Sequence, residues 1–117
     1  LALVTKGDDR TQRDKLQRSG LAPLFDHVRV LAEKDEEAYR RLTAEWGLDP
    51  QRTYMVGNGP RSDINPAVAA GLRAIYIPHA HTWVAEREPI RQPERVTQLA
   101  RLAELPAFFG LGSWARG

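Results

Sequence analysis

The 117-residue sequence contains no cysteine. Disulfide frameworks, thiolate metal sites and cysteine nucleophiles are thereby excluded, and any nucleophile must be an oxygen or a nitrogen. Methionine is almost missing too. Met55 is the only one and the sequence starts at Leu1, so it is expected to begin inside a longer reading frame or after processing. No apolar run approaches the roughly 18 residues needed to span a bilayer, and no signal peptide precedes the first strand-like segment. A membrane partner is therefore not expected, and a cytoplasmic location is the default. A dominant charge sign is also lacking: 17 Lys+Arg stand against 15 Asp+Glu, a net charge of +2, which does not imply nucleic acid as a partner.

What is there belongs to an ordinary globular protein, with 42% hydrophobic and 27% charged residues. The length fits one domain. Leu1 to Thr5 is a short apolar run closed by Lys6-Gly7-Asp8-Asp9, which predicts a buried strand followed by a turn and a capped helix. Asp9 to Ser19 reads as a surface helix, with Leu16 its main apolar residue and Gly20 its stop. Val28 to Ala32 alternates as a second strand. From Asp35 to Trp46, Ala38, Leu42 and Trp46 recur at every fourth position with Tyr39 beside them, behind an acidic first turn, and Gly47 ends that helix.

Thr53 to Val56 predicts a third strand, running into a Gly/Pro loop, Gly57-Asn58-Gly59-Pro60. Asn65-Pro66 then opens an Ala-rich helix that stops at Gly71. Ala74 to Ile77 is a fourth strand, and His79 to Gln92 shows no period. Pro93 is expected to start a helix with Val96, Leu99, Ala100 and Ala103 on one face, ended by Pro106. Residues 1–105 are read as the body of the domain and 106–117 as an apolar tail that packs back or docks on a partner. Strands alternating with helices predict an α/β fold with a parallel, Rossmann-like sheet flanked by helices.

Ligands of such sheets sit beyond the carboxyl ends of the strands. Three of these ends are polar. Thr5-Lys6-Gly7-Asp8 offers a hydroxyl and backbone N–H groups for a phosphate, or is simply a capped turn. Lys34 follows the second strand and precedes an acidic helix start, where a solvated surface lysine is the plain alternative. Asn58 and Asp63 bear oxygen ligands suited to Mg²⁺ five residues apart. His79 and His81, two apart in an extended segment, lack a third metal ligand and read as loop residues.

The ordered set of strand-Thr5, Lys34 before a helix, and strand-Gly57-Asn58 with Asp63-Ile64 and Ala67-x-x-Ala70-Gly71-Leu72 behind it resembles the second, third and fourth motifs of the haloacid dehalogenase superfamily of phosphohydrolases. Gln12, Lys15-Leu16, Gly20-Leu21 and Phe25-Asp26 fall in the pattern such proteins show after the second motif. The resemblance implies a small phosphorylated substrate and Mg²⁺ as cofactor. Thr5 and Lys6 would then bind phosphate, Lys34 would bind phosphate and balance charge, and Asn58 would ligate the metal. Asp63 would act with Lys34 in catalysis or support the metal shell. Asn58 stands where that superfamily commonly has Asp, so weaker metal binding is expected, and Asp35 stands where Pro often follows the lysine.

The nucleophile-bearing Asp-x-Asp motif of the superfamily's first strand does not occur in these residues, although a carboxylate nucleophile is what the resemblance implies. That strand lies centrally, so the sheet is expected to be incomplete and this stretch to be inactive alone. Completion is expected from an upstream segment, a partner chain, or direct pairing of residues 1–5 with residues 53–56. A noncatalytic phosphate-binding or regulatory module of the same fold is the alternative. The 28 residues between Thr5 and Lys34 leave no room for an inserted cap domain, which would need roughly 50 residues.

Overall fold

The computed structural model describes residues 1–78 and 87–110. Strand β1 (Ala2–Lys6) leads through Gly7 into helix α1 (Asp9–Ser19), and strand β2 (His27–Leu31) into helix α2 (Glu36–Glu45). Strand β3 (Tyr54–Gly57) runs through a wide π-helical turn, Pro60–Ile64, into the short helix α3 (Asn65–Ala69). Strands β4 (Arg73–Tyr76) and β5 (Val96–Gln98) and helix α4 (Leu105–Phe108) complete the described strands and α-helices.

All strand pairs are parallel. β1 pairs with β2, Ala2 opposite His27, while β3, β4 and β5 form a second sheet in that order. The sheet is incomplete in the expected manner, because the described strands leave β1 and β3 without hydrogen bonds to each other. Direct pairing across the gap, one of the three expected completions, does not occur. The two halves nevertheless share a core. Val4 of β1 and Met55 of β3 pack against Tyr39, Ala67, Ala70 and Leu72, and a second cluster joins Ile64, Val68 and Ala74 to Tyr76, Ile90 and Val96. Helix α3 thus contributes to both clusters, Ala67 to the first and Val68 to the second.

The buried first strand expected from Leu1 to Thr5 is corrected: no residue of β1 is buried, and β3 is half-buried throughout, whereas Ala74 and Ile75 of β4 are fully enclosed. A strand lacking a neighbour along one edge loses burial on both its faces, which accounts for the difference.

Local chemistry explains most boundaries. Asp8 accepts from the Thr11 backbone N–H and caps α1, and Gly20, at φ +75°, ends it in the left-handed conformation. Asp35 caps α2 in the same way through the Ala38 N–H. The α2 stripe expected over Ala38, Leu42 and Trp46 is shifted. Its buried residues are Tyr39, Leu42 and Thr43, while Trp46 stacks on His27 with ring centroids 4.5 Å apart. The Gly/Pro loop after β3 is likewise shorter than expected, because Pro60 already begins helical backbone.

The helix expected from Pro93 to Pro106 is not formed. One 3₁₀ turn (Pro93–Arg95) leads into β5, which adds to the open edge of β4 with Ala74 opposite Val96. Arg95 directs this: its Nη2 donates to the carbonyls of Gly71 at 2.8 Å and Leu72 at 3.4 Å and so ties the segment to the start of β4. β-Branched Val96 and Thr97 then find a strand to pair with, which decides against helix. Pro106 lies inside α4 and is buried, and does not end a helix. Phe108 and Phe109 make edge-to-face contacts with Tyr54 at 5.7 and 5.2 Å, folding this part of the chain back on β3. The expectation for His79 and His81, and that for the last seven residues of the tail, lie outside the described residues.

Candidate active site

The expected polar residues stand at or after the carboxyl ends of β1, β2 and β3. Thr5 is the penultimate residue of β1, opposite Val30, and Lys6 is its last. Gly7 allows the chain to leave the strand at φ +135°, and its N–H donates to Leu31 O at 3.1 Å. Gln12 Nε2 donates to Lys6 O at 2.9 Å, so α1 holds the end of β1 through a side chain. Lys6 Nζ lies 3.3 Å from Glu33 and is exposed.

Lys34 is different. Its Nζ lies 2.9 Å from Asp63 Oδ1, and the two side chains retain only 15% and 10% of their accessible surface. An ion pair so enclosed is poorly screened, and removing either partner would leave an uncompensated charge in low dielectric. Asp63 Oδ2 in turn accepts from the Gly59 N–H at 3.1 Å. Both carboxylate oxygens are thus engaged, one by Lys34 and one by the backbone. The space for this carboxylate comes from Gly57: a Cβ there would lie 2.4 Å from Asp63 Oδ2 and 2.6 Å from its Cβ.

The turn that carries Asp63 is braced by Tyr39, which the sequence places beside the apolar stripe of α2. In an α-helix the carbonyl of Ser62 would accept from the N–H of residue 66, but Pro66 has none. The phenol of buried Tyr39 donates to Ser62 O instead, at 2.8 Å. In the sequence Tyr39 is an aromatic one position off the helix stripe, which does not disclose its acceptor. Asn65, expected as a helix start, is a second such residue. Its side chain is buried and engaged on both atoms, accepting from the Arg91 N–H at 3.0 Å and donating to Pro89 O at 2.9 Å.

These elements enclose a cavity of about 400 Å³ lined by Lys6, Glu33, Lys34, Arg61, Glu88 and Arg91, among others. Lys6 and Lys34, both expected to bind phosphate, therefore face one space; Thr5, Asn58 and Asp63 are not in its wall. Asn58 is exposed at the end of β3, and no hydrogen bond engages its side chain among the described residues. No cluster of three or more His, Cys, Asp or Glu forms a metal site among the described residues. The Asn58 amide oxygen is free to ligate Mg²⁺, but with Asp63 already engaged it is not a complete donor set; Mg²⁺ is commonly held by one or two carboxylates together with water and substrate phosphate.

Parallel strands flanked by helices, with polar residues at their carboxyl ends, define an α/β protein of Rossmann-like architecture. The family model for haloacid dehalogenase-like hydrolases matches residues 1–71, and the chain belongs to that family. It is 35% identical over 82 residues to the phosphoserine phosphatase of Thermus thermophilus, an alignment covering 66% of this chain and 33% of that protein. It is 35% identical over 101 residues to the glyceraldehyde 3-phosphate phosphatase of Methanothermobacter thermautotrophicus, covering 79% and 42%. The crystal structure of a haloacid dehalogenase-like family hydrolase from Xanthomonas campestris superposes with a TM-score of 0.76 at 37% identity, over 93% of this chain and 46% of that one. The chain thus spans a third to a half of the length of these relatives.

Proposed function

We propose that these residues form the phosphate-holding part of a Mg²⁺-dependent phosphatase acting on a small phosphorylated metabolite in the cytoplasm. The observation that carries the reading is the enclosed Lys34–Asp63 pair at the strand ends, beside a cavity that Lys6 also lines. Phosphoryl transfer depends mainly on positioning and on neutralising oxygens that gain charge, and a lysine fixed by a carboxylate and a braced turn suits that task. In this reading Lys34 binds the phosphoryl group and balances its charge, Lys6 binds at the rim, and the Thr5 hydroxyl donates to a phosphoryl oxygen. Asp63 holds Lys34 in place. Asn58 offers a neutral oxygen to Mg²⁺, whose contribution would be to neutralise phosphoryl oxygens; Asp63, with both oxygens engaged, is the weaker of the two expected ligands.

The nucleophilic carboxylate is supplied by an apolar strand between β1 and β3, provided by an upstream segment or a partner chain. The 117 residues alone then give no turnover of para-nitrophenyl phosphate with Mg²⁺, and addition of such a strand bearing an Asp at its carboxyl end restores it. Turnover by these residues alone that disappears in Lys34→Ala would overturn the assignment of the nucleophile. A noncatalytic phosphate-binding module is the second reading, favoured by the neutral Asn58 beside the strand end. It is distinguished by phosphate binding that survives strand addition with no hydrolysis.

A further inference from the structure

The backbone from Pro89 to Arg91 is hydrogen-bonded at both ends by one side chain, that of Asn65. Asn65 lies two residues after Asp63. Its Nδ2 donates to Pro89 O and its Oδ1 accepts from the Arg91 N–H, which leaves only one orientation of the amide that satisfies both atoms. Ile90, between these two bonds, packs into the cluster of Ile64, Val68 and Ala74. A segment without sequence periodicity is thereby made part of the cavity wall, and it brings Glu88 and Arg91 into the space lined by Lys34 and Lys6.

The Arg91 guanidinium is aimed by Glu88, whose Oε1 accepts from Nη2 at 2.8 Å. Glu88 is the less exposed partner, at 26% against 72% for Arg91, so it acts as the fixed point and leaves most of the exposed Arg91 side chain uncovered where it lines the cavity. A planar guanidinium suits a carboxylate or a second phosphate.

We propose that Arg91 selects the substrate by binding a second anionic group on the leaving portion of the phosphate ester, and that Asn65 is the positioning residue that places it. This rests on the phosphatase reading of the Lys34 site. The preferred substrate is then a short phosphorylated carboxylic acid and not a neutral alkyl phosphate.

The test measures binding of three probes to the chain by NMR titration: inorganic phosphate, phosphoglycolate and ethyl phosphate. Phosphoglycolate is expected to bind about tenfold more tightly than ethyl phosphate, the order of one charge-assisted bidentate contact. Arg91→Gln should bring that ratio close to one while leaving inorganic phosphate affinity within twofold, and Arg91→Lys, which keeps the charge but not the fork, should leave an intermediate ratio. Asn65→Ala should lower the ratio as Arg91→Gln does, again with inorganic phosphate unaffected. If Asn65→Ala weakens all three probes in parallel, its role is merely structural and the positioning assignment is overturned. Equal affinity for the two esters in the unsubstituted chain, or a ratio that survives Arg91→Gln, overturns the role of Arg91. Failure of the unsubstituted chain to bind inorganic phosphate overturns the phosphatase reading, and this inference with it.

Discussion

Gly57 and Asp63 occupy the same volume: the side chain that Gly57 lacks would lie 2.4 Å from the Asp63 carboxylate. The last residue of β3 is therefore a glycine for a steric reason, since its φ is not in the left-handed region. Gly57→Ala should push Asp63 off Lys34 and cost about 1–3 kcal/mol, the usual range for overpacking an enclosed site. Urea unfolding of the two chains measures the cost. A chemical shift change at Lys34 Nζ would report the broken pair, and an unchanged shift would show that Asp63 had not moved.

The Lys34–Asp63 pair itself is open to a double-mutant cycle. Lys34→Met should destabilise by about 3 kcal/mol because it strands an enclosed carboxylate. Asp63→Asn should cost a similar amount, since an amide oxygen that accepts from Gly59 N–H leaves its NH2 facing the Lys34 ammonium. The double variant should be more stable than the sum of the two costs suggests, with a coupling of about 0.5–3 kcal/mol. Strict additivity would mean that the two side chains do not interact.

Tyr39→Phe removes one hydroxyl and leaves the Ser62 carbonyl without the phenol donor. The bond to this part-buried acceptor is worth about 0.5–1.5 kcal/mol. Denaturant unfolding tests the magnitude, and hydrogen exchange should show faster opening of the Pro60–Ile64 turn than of β4. Equal exchange in the two chains would remove Tyr39 from the bracing role.

How far the sequence reveals these relationships depends on how local they are. Asp8, Gly20 and Asp35 act on backbone within a few residues, and their roles follow from residue type and position alone. The placement of Lys34 and Asp63 is also legible, because each lies in the segment that follows a strand. β5 is not legible: Val96, Leu99, Ala100 and Ala103 fit a helical stripe, and only the open edge of β4 and the contacts of Arg95 with Gly71 and Leu72 turn Val96–Gln98 into a strand. Tyr39 and Asn65 fail for the same reason, since their acceptors and donors lie more than 20 residues away.

The pair of Arg29 with Glu45 sets an acid-side limit. The hydrogen bond from Arg29 holds the Glu45 carboxyl below its ordinary pKa, and the Thr11 N–H does the same for the helix-capping Asp8. A carboxyl whose folded pKa is depressed binds fewer protons folded than unfolded, so its contribution is present above the ordinary carboxyl pKa and fades as pH falls through the folded value. Thermal midpoints should drop on acidification through that range, and the drop should be smaller in Glu45→Gln. Carboxyl chemical shifts titrating at or above those of free side chains would contradict the assignment.

The unpaired edges of β1 and β3 make a prediction about the whole sheet. Val4 and Met55 lie on the two sides of the gap yet share one core cluster with Tyr39, Ala67 and Leu72, so the gap is bridged by side chains and not by backbone bonds. Backbone groups along such edges exchange with water or pair with another strand. Amides of β1 and β3 that do not donate to β2 or β4 should therefore exchange orders of magnitude faster than those of Ala74 and Ile75, which are enclosed in β4. An apolar strand supplied in parallel orientation, within a longer chain or as a separate peptide, should protect both edges at once, because one inserted strand offers hydrogen bonds to each side. Protection of β1 without β3 would mean that the added strand has joined an outer edge, and protection of neither would mean that the gap is too narrow to admit it.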